Sequence, residues 1–231
     1  MTDEVALARG DRWFPAEPVR TIDQAGEFLA NVDFALLFAA NGIAVPSLWE
    51  AVSGADADPM GASGWGEVEQ LVWSWKDELP LTGAAWYGKF LYRRGSFLTP
   101  DLLDALYPGS GDVDDHRSLD LSPVAHEIAE ALIGGALTTA ALREVVGDRK
   151  AYERGSLELQ RHLLVCAAGV REQRAGWPAS VVDLTCRLFD VGSRRDDRRA
   201  AAIFVNTMVE TTPRQLAKAF GWPLVKAREL L

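Results

Sequence analysis

Side chains that bind metals or carry redox chemistry are scarce in this chain of 231 residues. The two cysteines, Cys166 and Cys186, lie in apolar, strand-like surroundings without CxxC or His/Cys spacing. That pattern predicts reduced, buried thiols, with neither a disulfide nor a metal site. The three histidines, His116, His126 and His162, stand apart and none falls in an HExxH pattern. His126 and His162 sit on predicted helices beside apolar faces, which predicts structural histidines. There is no GxSxG, and Gly83 to Gly88 has neither P-loop spacing nor the closing Lys-Ser/Thr. No cofactor is therefore expected. No apolar run approaches the roughly eighteen residues of a membrane span. Met1-Thr2-Asp3-Glu4 places acid where a secretory signal places base. These two absences predict a cytoplasmic protein without membrane contact.

What the chain has in quantity is charge, and it is divided unevenly. Residues 1–142 hold 8 Lys and Arg against 22 Asp and Glu, a net of -14, whereas residues 143–231 hold 16 against 11, a net of +5. The overall pI of 4.9 therefore hides a basic half that suits a polyanion behind an acidic half that repels one. A hydrophobic content of 48% is enough to bury real cores.

Capping signals divide the chain. Thr21-Ile22-Asp23-Gln24 and Ser47-Leu48-Trp49-Glu50 have capping-box form, and Phe34 to Phe38 between them is a buried run too short for a helix. Residues 53–64 form a glycine-rich loop. Val68, Leu71, Val72 and Trp75 recur at helical spacing until Pro80. Ala85 to Tyr92 and Ser96 to Leu98 flank Arg93-Arg94-Gly95 as a β-hairpin, with the glycine expected to supply a positive φ. Pro108 to Ser118, polar and without periodicity, marks a boundary. Beyond it Ser122-Pro123 opens a helix ended by Gly134-Gly135, Leu137 is a minimal strand, and Thr138 or Thr139 caps a helix stopped by Gly147. Asp148 opens a third helix with Tyr152, Leu159 and Leu163 facing inward. Leu163 to Cys166 and Ser180 to Leu184 are strands joined by a polar loop. This is the order of a winged helix. A further helix-turn-helix pattern follows in residues 200–231, with Thr212-Pro213-Arg214-Gln215 as its capping box and no wing after it. The expected fold is α+β, mainly α, built from tandem winged-helix units with short hairpins. Its expected parts are an N-terminal extension (1–20), an acidic winged-helix-like domain (21–108), a winged-helix domain (119–190) and a partial unit (198–231).

In a winged helix the third helix enters the major groove and the wing touches phosphate. Arg149, Lys150, Arg154 and Arg161 on that helix, with Arg171 and Arg174 in the wing, are the candidate DNA-binding residues. The competing reading is a solvated face in which Glu153 and Glu158 are i, i+4 partners to these cations. Arg194-Arg195 and Arg198-Arg199, diluted by two aspartates, suit a linker better than a phosphate clamp. In the acidic half, Lys76, Asp77 and Glu78 beside Trp73 and Trp75 are the candidates for acid–base chemistry. Against that, they read as the decorated end of a helix whose tryptophans fill the core.

The runs Ala44 to Val52, Val72 to Pro80, Trp86 to Leu91 and Glu158 to Arg161 resemble the bacterial AlkZ-related family. Its members are more distantly similar to AlkZ-type DNA glycosylases. The resemblance implies tandem winged helices around duplex DNA and, in those enzymes, a Gln-x-Gln or Gln-x-Asp motif that positions the hydrolytic water. None of Gln24, Gln70, Gln160, Gln173 or Gln215 has Gln or Asp two positions later, so no catalytic residue carries over. The first expectation is thus a double-stranded DNA-binding protein associated with DNA repair or regulation. The alternatives are a protein-interaction module working through its acidic N-terminal half, and a base-excision enzyme with a non-standard site at Asp77 or Glu78.

Overall fold

The computed structural model describes residues 3–54, 65–172 and 178–231. Helix α1 (Asp3–Trp13) precedes the first capping box, where Thr21 Oγ1 accepts from the Gln24 N–H and Gln24 Oε1 accepts from the Thr21 N–H, both at 3.2 Å. Helix α2 (Ile22–Val32) starts there, as the residues predict. Strand β1 (Phe34–Leu36), α3 (Leu48–Ser53), α4 (Glu67–Glu78), β2 (Trp86–Lys89) and β3 (Gly95–Leu98) follow. The strands pair antiparallel in the order β1-β3-β2, with Phe34 and Trp86 both opposite Leu98. After α5 (Pro100–Leu106) the same succession repeats as α6 (Pro123–Ile133), β4 (Leu137–Thr138), α7 (Thr139–Val146), α8 (Arg149–Arg161), β5 (Val165–Arg171) and β6 (Ala179–Leu184). Here the strand order is β4-β6-β5. Ser122, Thr138 and Asp148 cap the three helices by accepting from the N–H groups of Ala125, Ala141 and Ala151. A short α9 (Thr185–Leu188) leads to α10 (Asp197–Met208), α11 (Pro213–Phe220) and α12 (Leu224–Leu230). The fold is therefore α+β and mainly α, with two winged-helix successions and a terminal helical unit. Among the described residues no helix is long and apolar enough to cross a membrane.

One local expectation is corrected. The β2–β3 connection is not a tight turn with a left-handed glycine, because Leu91–Arg93 forms a 3-10 turn in which Tyr92 (φ 51°) and Arg93 (φ 60°) take the positive φ. Gly95 has a steric role instead: a Cβ there would lie 2.6 Å from Tyr87 Oη across the strand pair. The segment from Pro108 to Ser118 is organised around one buried carboxylate. Asp115, 7% exposed, accepts from the backbone N–H groups of Ser110, Gly111 and Asp112 and from the hydroxyls of Ser110 and Tyr107, all within 2.8–3.0 Å. Burial pushes the Asp115 carboxyl up, but these donors outweigh it and hold it below the ordinary range. Because the folded pKa lies below the unfolded one, this stabilisation is present above pH ~4 and is lost as pH falls through the folded value. Asp115→Asn is expected to cost about 1.5–3 kcal/mol at neutral pH. It should also flatten the loss of stability that urea titrations would record between about pH 5 and pH 3.

The larger buried core runs from Trp13 through Phe34, Leu98, Ile128 and Leu159 to Phe204 and Phe220, so the successive helical units share one interior. Phe34 stacks on Phe204 with ring centroids 5.2 Å apart, and the buried Trp86 donates through Nε1 to Thr185 Oγ1 at 3.1 Å. A smaller core lies between α2, α3 and α4 around Leu29, Trp49 and Trp75. Helix α8 packs against α6 through Gly155, where a Cβ would come within 2.9 Å of Val124 Cγ1. Tyr152, Leu159 and, just past the helix, Leu163 face inward as the periodicity predicts. The opposite side of α8, which carries the cations, is left to solvent.

Candidate nucleic-acid interface

The acids on α8 decide how free its cations are. Arg149 Nε donates to Glu153 Oε1 at 2.8 Å, an exposed i, i+4 pair of little energetic consequence. Glu158 does not pair with Arg154, contrary to the i, i+4 expectation. It turns inward to the start of α6, where it accepts from the Ser122 N–H at 2.9 Å and from the Ser122 hydroxyl at 2.5 Å. An orphan helix N-terminal donor is a better partner for a half-buried carboxylate than a solvated guanidinium is. Among the described residues Lys150, Arg154 and Arg161 consequently have no ion-pair partner.

Two open clefts flank this helix. The first, of about 640 Å³, gathers Lys150 and Arg154 of α8 with Arg143 of α7 and Lys89 at the end of β2. Gln160 joins the elements: its Oε1 accepts from the Lys89 N–H at 2.8 Å. Arg143 lies 5.5 Å from the ring centroid of Tyr152. One carboxylate, Glu153, stands in this cleft, and the Arg149 hydrogen bond, then the charges of Arg149, Arg143 and Lys89, hold it below its ordinary range. The second cleft lies at the C-terminal end of α8 and takes in Arg161. Lys89 and Arg143 were not legible as site residues, because one belongs to the acidic half and the other to the preceding helix. Only tertiary packing brings them to α8.

The remaining candidates fall elsewhere. Arg171 is exposed at the end of β5 and lines neither cleft; Arg174 lies outside the described residues. Arg199 is committed to an ion pair with Asp101, and Arg195 donates to the Pro108 carbonyl at 3.3 Å, so this run ties α10 to α5 and to the segment after it. Lys76 and Asp77 form a buried ion pair, 5% and 4% exposed, with Lys76 Nζ 4.5 Å from the Trp73 ring centroid. Burial, opposed by the Lys76 hydrogen bond and charge, pushes the Asp77 carboxyl up. Glu78 points to solvent, so the three acid–base candidates do not form one site. His162, half-buried just past α8, is pushed down by desolvation. His126 lies on α6 with its ring 5.9 Å from that of His116. Both cysteines are free thiols. Among the described residues no three His, Cys, Asp or Glu come together as metal ligands.

Comparison with known proteins adds a family. Comparison with curated proteins returns no match. Among solved structures, the Streptomyces sahachiroi DNA glycosylase AlkZ is similar to this chain at 16% identity and a TM-score of 0.48. The alignment covers 94% of this chain and 64% of that one, so the chain spans less than two thirds of that protein's length. The family model described as AlkZ related matches residues 19–221, and the chain belongs to the AlkZ-related family.

Proposed function

We propose that this protein binds duplex DNA, in a setting of DNA repair, by laying the exposed side of α8 along a groove. Membership of the AlkZ-related family supports the repair setting. The single observation that carries the reading is the gathering of Lys89, Arg143, Lys150 and Arg154 from three elements around one cleft on α8, with Glu153 as its lone acid. Cations so placed neutralise phosphates and release their counterions. The third helix of a helix-turn-helix unit is also the element that fits the major groove. Arg161 extends the cation run along α8, and Arg171, exposed at the end of β5, adds positive charge at the start of the wing.

Binding of labelled duplex, followed by fluorescence anisotropy at about 50 mM salt, tests this directly. Lys150→Ala combined with Arg154→Ala is expected to weaken binding at least about tenfold. Glu153→Gln, which removes the one acid, is expected to strengthen it several-fold. Absence of duplex binding by the unaltered protein would refute the reading, as would an unchanged affinity in the double variant.

The acidic half supports a second role as the surface for a protein partner. Trp65 and Trp73, 58% and 43% exposed, pack around Phe38 with ring centroids 5.8–6.4 Å apart, leaving an aromatic patch on the acidic unit. Large apolar side chains grouped at a surface mark interaction sites. A complex that survives nuclease treatment and is lost in Trp73→Ala supports this role, and one that dissolves with nuclease counts against it. Base-excision chemistry has no comparable support, since Asp77 is buried and paired.

A further inference from the structure

The second cleft, at the C-terminal end of α8, differs from the first in composition. It holds about 440 Å³ and brings together Arg93, Arg161, Arg214 and Lys218, with no carboxylate among its lining residues. Each cation comes from a different part of the chain or a different turn: Arg93 from the β2–β3 connection, Arg161 from α8, Arg214 and Lys218 from successive turns of α11. Among the described residues none of the four has an ion-pair partner. Arg161 reaches across to the end of α11, where a Cβ on Gly221 would lie 3.3 Å from its Nη2. Arg93 is carried there by two consecutive residues with positive φ, neither of them glycine. Such backbone is strained and persists only where the surroundings enforce it, as they do at ligand clamps and other functional sites. Four like charges converging in one concavity repel one another. An anion relieves that repulsion.

The walls narrow the class of anion. Phe90, Phe220 and Trp222 line the same cleft, with Phe220 and Trp222 packed edge to face at 4.9 Å. Lys226 lies 4.1 Å from the Trp222 ring centroid, which fixes the indole from one side. A cleft of this size lies within the ~300–1,000 Å³ range of small-ligand sites. Cations at one place and aromatic surface beside them suit a phosphate attached to a base that can stack. A phosphodiester carries one charge and continues on both sides. A phosphomonoester carries about 1.5 to 2 charges near neutrality and ends the chain, which matches four uncompensated cations in a walled concavity.

We propose that the Arg93–Arg161–Arg214–Lys218 cleft is a binding site for a nucleoside phosphomonoester, either a free nucleotide or the phosphorylated end of a DNA strand. The free-nucleotide source needs no duplex contact; Arg161 is shared with the α8 groove reading, whereas Arg214 and Lys218 belong to this site alone. Three probes separate the possibilities: dAMP, a short duplex with 5′-phosphates, and the same duplex with 5′-hydroxyls, each measured with unaltered protein and with Arg214→Ala plus Lys218→Ala. Both substitutions lie on exposed positions of α11, so the fold is expected to survive; circular dichroism checks it. If the source is a strand end, the phosphorylated duplex is expected to bind about tenfold more tightly than the hydroxylated one. The double variant should then erase that difference while binding the hydroxylated duplex within twofold of the unaltered protein. If the source is a free nucleotide, dAMP binds at sub-millimolar concentration, the two duplexes bind alike, and the double variant loses dAMP by tenfold or more. Equal duplex affinities with no dAMP binding would overturn the proposal. So would a double variant that weakens both duplexes equally, because the cleft would then be part of a general phosphate track. Lys150→Ala plus Arg154→Ala, by contrast, should weaken both duplexes alike and leave dAMP unaffected, so loss of the groove reading and loss of this one are distinguishable.

Discussion

Replacing Trp13 by alanine is expected to destabilise the protein by about 3–5 kcal/mol and to lower Tm by about 10 °C. Trp13 is 8% exposed, belongs to the larger core, and donates through Nε1 to the Thr207 carbonyl at 2.7 Å. Its neighbour Arg9, whose guanidinium carbon lies 5.1 Å from the Trp13 ring centroid, donates from Nε to the Met208 carbonyl at 2.9 Å and from Nη2 to the Glu210 carbonyl at 2.7 Å. Helix α10 ends at Met208, and its last carbonyls have no partner within the helix. Two side chains of α1 therefore serve as the C-terminal cap of a helix about two hundred residues away. Thr207 also donates its hydroxyl to the Val32 carbonyl at 2.8 Å, so the same point ties α10 to the end of α2. Urea unfolding of Trp13→Ala measures the effect. A shift within about 0.5 kcal/mol, as for an ordinary surface change, would mean that α1 is not docked in solution.

Removing one partner of the Lys76–Asp77 pair is the second change with a large expected effect. Lys76→Ala leaves a buried carboxylate alone in apolar surroundings and is expected to cost about 3–5 kcal/mol. The protein can relieve part of that by protonating Asp77, whose carboxyl burial already pushes up. The single variant should therefore regain stability as pH falls. Replacing both partners together, Lys76→Met with Asp77→Leu, removes both desolvation penalties and is expected to be near neutral, or stabilising by about 1–4 kcal/mol. Asp77 Oδ1 has no hydrogen-bond partner among the described residues, which makes the pair an imperfect one and favours that outcome. A double variant as unstable as the single would show that the charges themselves, not their mutual compensation, hold α4 in place. If the double variant binds DNA like the unaltered protein, the pair is structural.

Much of the architecture was legible because it is local. Thr21, Ser122, Thr138, Asp148 and Thr212 each announce a helix through a side chain that reaches only three residues ahead. The winged-helix succession then follows from the alternation of helical and strand periods. Interactions that cross the chain were not legible. Nothing in the order of residues ties Glu158 to Ser122, or Arg9 to Met208, and α1 has too weak an apolar stripe to announce that it docks. Lys76 and Asp77 are charged residues at a helix end, which normally means solvent; packing of α4 against β5 encloses them. The cation cluster was visible as a bias of the basic half and as Lys150, Arg154 and Arg161 on one helix. Lys89, Arg93, Arg143, Arg214 and Lys218 join them only in three dimensions.

The salt dependence of duplex binding puts the cation cluster on α8 to the test most directly. Each phosphate neutralised lowers the slope of log K against log salt by about 0.9. Contacts by Lys89, Arg143, Lys150, Arg154 and Arg161 therefore predict a slope near about -4 to -5, and Lys150→Ala with Arg154→Ala should make it shallower by about 2. A duplex affinity that hardly changes between about 50 and 200 mM salt, or a slope identical in the double variant, would contradict the assignment of α8 to DNA.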